Sequence, residues 1–500
     1  MAKIAIALLI LILIIIIGGW IYIDSDPGGT IPSASADVPT LIGEPAHPAP
    51  VPPVREPVQH PFLAPAGMNS MHNDAAQSDA YPWAGPLGHN TAVSSRQFHR
   101  VAGSCVAQTF DSRGHMIGTC VSPFGVTLVA RDPETLEELA RQVITRWLPI
   151  GQKFSGGVYF HLDSEDRVLL ATNELAIQLW RLEDSGGTYR WLLDESFDVS
   201  ALLDSARAEQ HHIIDVMPDW QGHYWLITRK GIVATVDRDG AGGHAIALGG
   251  KARREGIDNA LAVGTNGVFL VSDQAMYNFR RDKSGNVKEH WREKYDRGTG
   301  PKKGTMGWGS GTTPTLVGND YVAITDNADG KVNVMVYAQQ QRDSSQEICK
   351  QPVFRANRGT SENSLAVVGN ALIVENNFGY SGPKNIPQAA PGLARINILE
   401  PGKGCELAWE NLELSSPSAV PKVSLANGLV YVYTRDPGNP EDLHAWYFTA
   451  VDVTTGEVVF KQLTGIGWKY NNHYGSISIS PEGAAYVGTM GGLIKLADRR

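Results

Sequence analysis

Residues 427–453 read Asn-Gly-Leu-Val-Tyr-Val-Tyr-Thr-Arg-Asp-Pro-Gly-Asn-Pro-Glu-Asp-Leu-His-Ala-Trp-Tyr-Phe-Thr-Ala-Val-Asp-Val. A tight turn at Asn427-Gly428 leads into an apolar strand, Leu429–Thr434, rich in β-branched and aromatic residues. A polar loop with two prolines follows, then another apolar strand, Phe448–Val453. Asn-Gly tolerates the positive φ that a tight hairpin turn demands, and the flanking residue types favour strands.

The same unit recurs along the chain. Its turns fall at Arg113-Gly114, Glu165-Asp166, Gln221-Gly222, Asn266-Gly267, Gly318-Asn319, Gly369-Asn370, Asn427-Gly428 and Glu482-Gly483. Successive turns lie about 45 to 58 residues apart, a spacing typical of propeller blades of up to four strands. Second strands follow, as in Tyr224–Thr228, Tyr321–Thr325 and Ala371–Glu375, and third strands such as Val332–Tyr337, Ala394–Ile398 and Leu493–Leu496. The 53 glycines and the near absence of amphipathic helical patterns agree with this reading. Eight hairpins predict an all-β, eight-bladed β-propeller, with seven blades as the alternative. A pair of β-sandwiches does not account for the steady spacing.

Closure follows from the ends of the repeat. The last unit runs out at Asp498 after its third strand, and a strand near Asn90–Phe98 precedes the first complete unit. Pairing the two in one blade removes an exposed edge. The cysteines test the register. In a hairpin turning at Ser112-Arg113, Cys105 and Cys120 stand opposite one another and predict a disulfide. Cys349 and Cys405 enter the fourth strands of neighbouring units and predict a bridge between blades. No CxxC or CxxCH spacing points to thiol redox chemistry or attached haem.

Outward from the repeats, the N-terminus sets the expected compartment. Ile4 to Ile23 carries no charge and is long enough to cross a bilayer. Lys3 precedes it and Asp24 and Asp26 follow, so residues 1–23 read as a cytoplasmic tip and an inner-membrane signal anchor, with the remainder on the periplasmic, extracytoplasmic side. Ala34-Ser35-Ala36 offers the alternative of a cleaved signal peptide, but it lies far from the apolar run. No cysteine directly follows that run, which excludes a lipoprotein anchor. Residues 24–85 begin rich in proline and small polar residues and read as an extended linker, leaving 86–500 for the propeller. The formal net charge of −9 is scattered and argues against nucleic-acid binding. The expected partner is the membrane itself, with the ring a monomer that takes a protein or envelope ligand.

One stretch carries a resemblance. Ala450-Val-Asp452-Val-Thr-Thr455-Gly456-Glu457-Val-Val-Phe460 resembles the quinoprotein-like (PQQ-like) propeller repeat, Ala-x-Asp-x-x-Thr-Gly-x-x-x-Trp, with looser echoes at Val236–Leu248 and Phe279–Trp291. As architecture the resemblance covers about 90–500. It implies the superfamily's fold, and fold alone does not fix function. The adjacent cysteine pair of the quinone-dependent dehydrogenases is absent, as is a haem domain, so PQQ is not expected as a cofactor. Other propellers of this kind are envelope scaffolds that bind polypeptides.

In a propeller, the segments before each first strand and after each second strand emerge on one face. Here they include Met306-Gly307-Trp308-Gly309-Ser310-Gly311, Thr360–Ser364, Tyr470–Tyr474, Thr325-Asp326-Asn327, Glu375-Asn376-Asn377 and Thr434-Arg435-Asp436. Trp308, Ser310, Asn327, Arg435, Asn471 and Asn472 are candidate ligand-binding residues. Asp326, Glu375, Asn376 and Asn377 supply the oxygens that Ca²⁺ prefers, and His473 is a candidate base. The plain alternative for each is turn chemistry, since Asn and Asp satisfy turn backbone groups. Met71-His72-Asn73-Asp74 reads as linker or as a cover over the mouth. His211 and His212, adjacent in a strand, point to opposite faces and do not share a metal. Asp326–Gly330 lacks the length and terminal Glu of an EF-hand. The leading expectation is a non-catalytic binding propeller. The second is a calcium-dependent hydrolase like the lactonase and arylesterase propellers, which requires Glu375, Asn327, Asn377 and Asn471 to converge.

Overall fold

The computed structural model describes residues 27–51, 58–98, 103–122, 125–146, 158–203, 212–250, 253–383, 389–436 and 443–499. The apolar run at 4–23 lies outside the described residues. Among those described, no helix is long and apolar enough to cross a membrane.

The chain forms an eight-bladed β-propeller. Each blade is an antiparallel sheet whose strands run from the central axis outward. The inner strands are Ser104–Phe110, Phe160–Leu162, Ile213–Pro218, Ala262–Gly264, Thr315–Val317, Ala366–Val368, Lys422–Ser424 and Ile477–Ile479, defining blades one to eight. Blade eight closes the ring as the repeat predicts: Ala92–Gln97 pairs antiparallel with Gly492–Ala497 as its outermost strand.

The eight turn dipeptides all connect first to second strands, and each holds one residue at positive φ. In seven of them it is glycine; in blade two it is Asp166, at 60°. The first three blades add a shared device. Asp111, Asp163 and Asp219 each accept backbone N–H groups two and four residues ahead, fixing the turn before a glycine is needed.

The core is a ring of interfaces between neighbouring blades. Blades one and two share Leu128, Ala130, Leu162 and Leu170; blades six and seven share Ile373, Leu393, Val430 and Val432; blades seven and eight share Tyr433, Phe448, Ile477 and Val487. Both faces of most middle strands are therefore buried, which is why these strands read as continuous apolar runs. Tryptophans tie the outer rims. Trp291 donates Nε1–H to Gln339 O at 2.9 Å, and Trp409 to Val453 O at 3.0 Å, each reaching the next blade.

Both disulfides form. Cys105–Cys120 joins the first two strands of blade one, and Cys349–Cys405 joins the outer strands of blades five and six. The first pairing has a finer cause than the hairpin alone. From Phe110↔Met116 to Ala107↔Thr119 the register is centred one half-residue further along, and a bulge between Ala107 and Cys105 brings Cys105 opposite Cys120.

The segment read as a linker takes part in the ring. Leu41–Gly43 adds a strand to the outer edge of blade seven, beside Phe460–Gln462. Residues 58–85 then pass under the ring and fill its centre. Their carbonyls accept N–H groups from the inner strands in turn: Asn69 from Leu162, Ala75 from Val263, Ala76 from Leu316, Ser78 from Val367, and Asp79 and Tyr81 from Val423 and Leu425. Ala80–Tyr81 pairs in parallel with Val423–Ser424. The inner strands would otherwise leave these donors facing an open channel, where buried unpaired N–H groups are costly.

Candidate functional site

The plug is anchored by charge. Lys422 begins the inner strand of blade seven, and its ammonium contacts Met71 O, Asn73 Oδ1 and Asp79 Oδ1. Asp79 also meets His72 Nδ1 at 3.1 Å and accepts from Ser364 Oγ at 2.6 Å. Both side chains of the Lys422–Asp79 pair have zero exposure. Burial penalises the Asp79 carboxylate, but Lys422 and His72 outweigh it and hold the group below the usual carboxylate range. Ser364 and Asp79 meet the same ring nitrogen of His72 inside a sealed core, so this trio ties the plug to the ring rather than activating a nucleophile. Met71–Asp74 thus lies within the channel. Asn73, Gln77 and Asp79 sit at φ of 78°, 59° and 54°, conformations that persist only where surroundings enforce them.

Above the plug is the mouth. Glu375 ends the second strand of blade six with 1% exposure. Its Oε1 accepts from Asn363 Nδ2 and, at 2.7 Å, from Asn377 Nδ2; its Oε2 is buried without a partner. Burial drives its pKa well above the usual range. Glu362, in the loop before blade six, is pushed up to about 8, again by burial first. It borders a water-sized hollow of about 10 Å³ with Asp258, Asp273, Trp308 and Ser310. Burial therefore favours the neutral form of both carboxyls.

An aromatic corner stands beside them. His473 Nδ1 meets Tyr380 OH at 2.8 Å. The rings of Tyr380, His473 and Tyr474 lie 5.6 to 5.9 Å apart. Burial lowers the His473 pKa, and Tyr380 OH also donates to Asn471 Oδ1 at 3.3 Å. His473 and Tyr474 are consecutive residues at positive φ, 42° and 65°. Two strained non-glycine residues side by side are held by neighbours that over-determine them, Asn471 among them, whose Oδ1 accepts from His473 N at 2.8 Å.

The remaining candidates separate into mouth and scaffold. Trp308 is 40% exposed on the mouth face, under the Arg297 guanidinium at 4.3 Å. Ser310 donates its backbone N–H to Tyr295 OH at 2.9 Å. Asn472 is consumed by Ser418 and Gly475, and Asn376 by Thr360, Phe378, Arg358 and Pro391. Asp326 accepts from Asn333 and Ala328 and meets Lys350, the turn chemistry of its loop. Asn377 Oδ1 is taken by Glu362 N. Asn327 holds Arg297 O and Gly300 O through its Nδ2, away from Glu375. Arg435 is buried at the end of its strand, 7% exposed. Most of the oxygens offered for calcium are thus spent on separate loops, while Glu375 Oε2 and Asn327 Oδ1 are buried without a partner, and among the described residues no group of three or more His, Cys, Asp or Glu could hold a metal ion. His211 lies outside the described residues.

Sequence reasoning missed Asp258 and Tyr380. Tyr380 lies past the second strand of blade six, beyond the short window inspected there; Asp258 belongs to a loop with no unusual composition. A second hollow, a cleft of about 670 Å³, opens on the opposite face between blades three and four, near Trp220, Arg280 and Lys283. Its acids Asp219 and Asp282 are engaged by turn N–H groups.

Comparison with known proteins adds little beyond the fold. No family model matches the chain. An uncharacterized protein of Archaeoglobus fulgidus is 26% identical over 275 residues, 49% of this chain and 52% of that protein. The chain therefore spans about half the length of the curated relative it matches. Among solved structures, BamB from Moraxella catarrhalis aligns with 66% of this chain and 93% of its own at 12% identity and a TM-score of 0.40. The dihydro-heme d1 dehydrogenase NirN aligns with 74% and 68%, at 12% identity and a TM-score of 0.45. The designed protein Ika8 aligns with 80% and 96%, at 12% identity and a TM-score of 0.40.

Proposed function

We propose that this protein is a non-catalytic binding propeller, anchored in the inner membrane and exposed on its outer side, which takes a polypeptide or envelope ligand at the mouth. The observation that carries the reading is the plug. With residues 62–83 bonded to the inner strands of blades two and four to eight, the channel has a floor, and the mouth is a dish rather than a pore. The half-buried His473 and Tyr474 and the exposed Trp308 stand at that mouth above the buried carboxyls and amides, and their rings are suited to stacking with a polar ligand. Two disulfides support an oxidising compartment. The turn at Asp452–Gly456, closed by Asp452 Oδ1 on Thr454 N and Thr455 N, supports kinship with the PQQ-like repeat.

Photo-crosslinking in cells tests the proposal. A crosslinker at Trp308 should trap a discrete adduct that the Tyr474→Ala variant loses, while one at Lys283, on the far face, should not. Metal-dependent hydrolysis of esters or lactones by the purified full chain would overturn it.

A further inference from the structure

The tether expected between membrane and ring is absent as a free spacer. Gly29 O accepts from Gln97 N, Tyr470 OH donates to Ile31 O, and Ala34 N donates to Ile466 O. Gln97 ends the outermost strand of blade eight, and Ile466 ends that of blade seven; both ends lie on the mouth face. The chain therefore meets the ring at the rim of the mouth. From Ile23, the end of the apolar run, to Gly29 is six residues, at most about 20 Å of chain. A seven-residue blade strand is itself about 23 Å tall. Turning the opposite face to the bilayer would need a tether that passes along the ring's side, and this one is too short.

The same face carries a second sign. Met306 and Trp308 are 54% and 40% exposed. They share a loop with the exposed Lys303, and the neighbouring loops bear the exposed Lys331, Arg355 and Arg358 beside the exposed acids Asp296 and Asp329, which accept backbone N–H groups of Gly298 and Thr299. The three loops are knit into one surface: Lys302 Nζ donates to Ala328 O and Gly359 O, and Asn357 N donates to Gly330 O at 2.6 Å. Cations flanking an exposed Met and Trp match the chemistry of a lipid headgroup boundary.

We infer that the mouth face lies against the membrane, with the loops of blades five and six touching anionic lipid headgroups through Met306, Trp308 and these four cations. The inference rests on the anchor reading above. It makes the ligand of the mouth one that is presented at the bilayer surface.

Spin labels on the full chain test it. All four native cysteines are paired, so Met306→Cys and Lys283→Cys each offer one thiol. The labelled chains are reconstituted in vesicles of phosphatidylcholine with phosphatidylglycerol. Flotation after a carbonate wash reads the anchor; accessibility to a water-soluble relaxant reads the face. The expected result is flotation, with the label at 306 several-fold less accessible than the label at 283, and a smaller difference when phosphatidylglycerol is omitted. Flotation with equal accessibility overturns the orientation and leaves the anchor standing. Shielding unchanged by lipid charge overturns the headgroup contact. Failure to float overturns the anchor and this inference together.

Discussion

Segment 62–83 and the eight inner strands around it occupy the same channel, yet they are held there by different means. The inner strands are held by ladders and by apolar contacts to the next blade, as Ala366 and Val368 are to Val423 and Val430. The plug has only the two-residue pairing at Ala80–Tyr81 and a single bridge at Leu63–Asp163 as regular structure; it is held by single backbone bonds, one buried ion pair and the packing of a few side chains such as Leu63, Met71 and Tyr81 into the blades. A repeat can be stabilised additively, blade by blade. A plug depends on a few contacts that are costly to leave half made, so the two regions should respond differently to substitution.

The largest effect is expected at the ion pair. Lys422→Met leaves the Asp79 carboxylate buried and unpaired, which costs about 3–5 kcal/mol in denaturant unfolding. The double variant with Asp79→Asn should recover part of that loss. Because Asp79 titrates below its ordinary value in the fold, the pair's contribution is complete above the unfolded carboxyl's pKa and is lost as pH falls through the folded one. A Lys422→Met variant as stable as the parent would mean the plug is not held by charge.

The ring's own staples come next. Cys349 and Cys405 enclose 56 residues and Cys105 and Cys120 enclose 15. Chain-entropy reasoning gives about 4 and about 3 kcal/mol for their loss. Melting of the two Cys→Ser pairs should follow that order, since both act on the ring rather than the plug.

The mouth supplies a prediction of opposite sign. Burial raises the Glu362 pKa to about 8 in the fold, while the unfolded group ionises near 4.5. Stability should therefore fall as pH rises through that window, and Glu362→Gln should flatten the slope in thermal melts. The smallest effect is expected at the outer edge. A Cβ at Gly43 would stand 2.1 Å from Val459 O, so Gly43→Ala should free Leu41–Gly43 from blade seven at a cost of about 1 kcal/mol. Hydrogen exchange at Leu463, whose N–H bonds Thr40 O, would report it.

The blades were legible because their signal repeats. Positive-φ turns recur, and each precedes an apolar strand buried on both faces, so composition and spacing agree eight times over. The mouth was legible only as an address. Antiparallel topology sends Trp308, Glu375 and His473 to one face, but it does not say that Asn376 and Asp326 spend their oxygens within their own blades, or Asn472 on Ser418 of the neighbouring one. The plug was illegible: its prolines and small polar residues describe a chain that makes no regular structure, which is true of a spacer and of a stopper alike.

By itself the sequence determined the propeller and its closure through Ala92–Gln97, because both follow from local turn chemistry and strand period; it favoured eight blades over seven and pointed to both disulfides, and the assembled ring settled these. Only the tertiary structure decided where residues 27–51 and 58–85 go, since many of their partners lie on the unpaired inner edges and outer rim that eight assembled blades create. It also decided which polar groups of the mouth remain uncommitted, because a hydrogen-bond partner hundreds of residues away leaves no local mark.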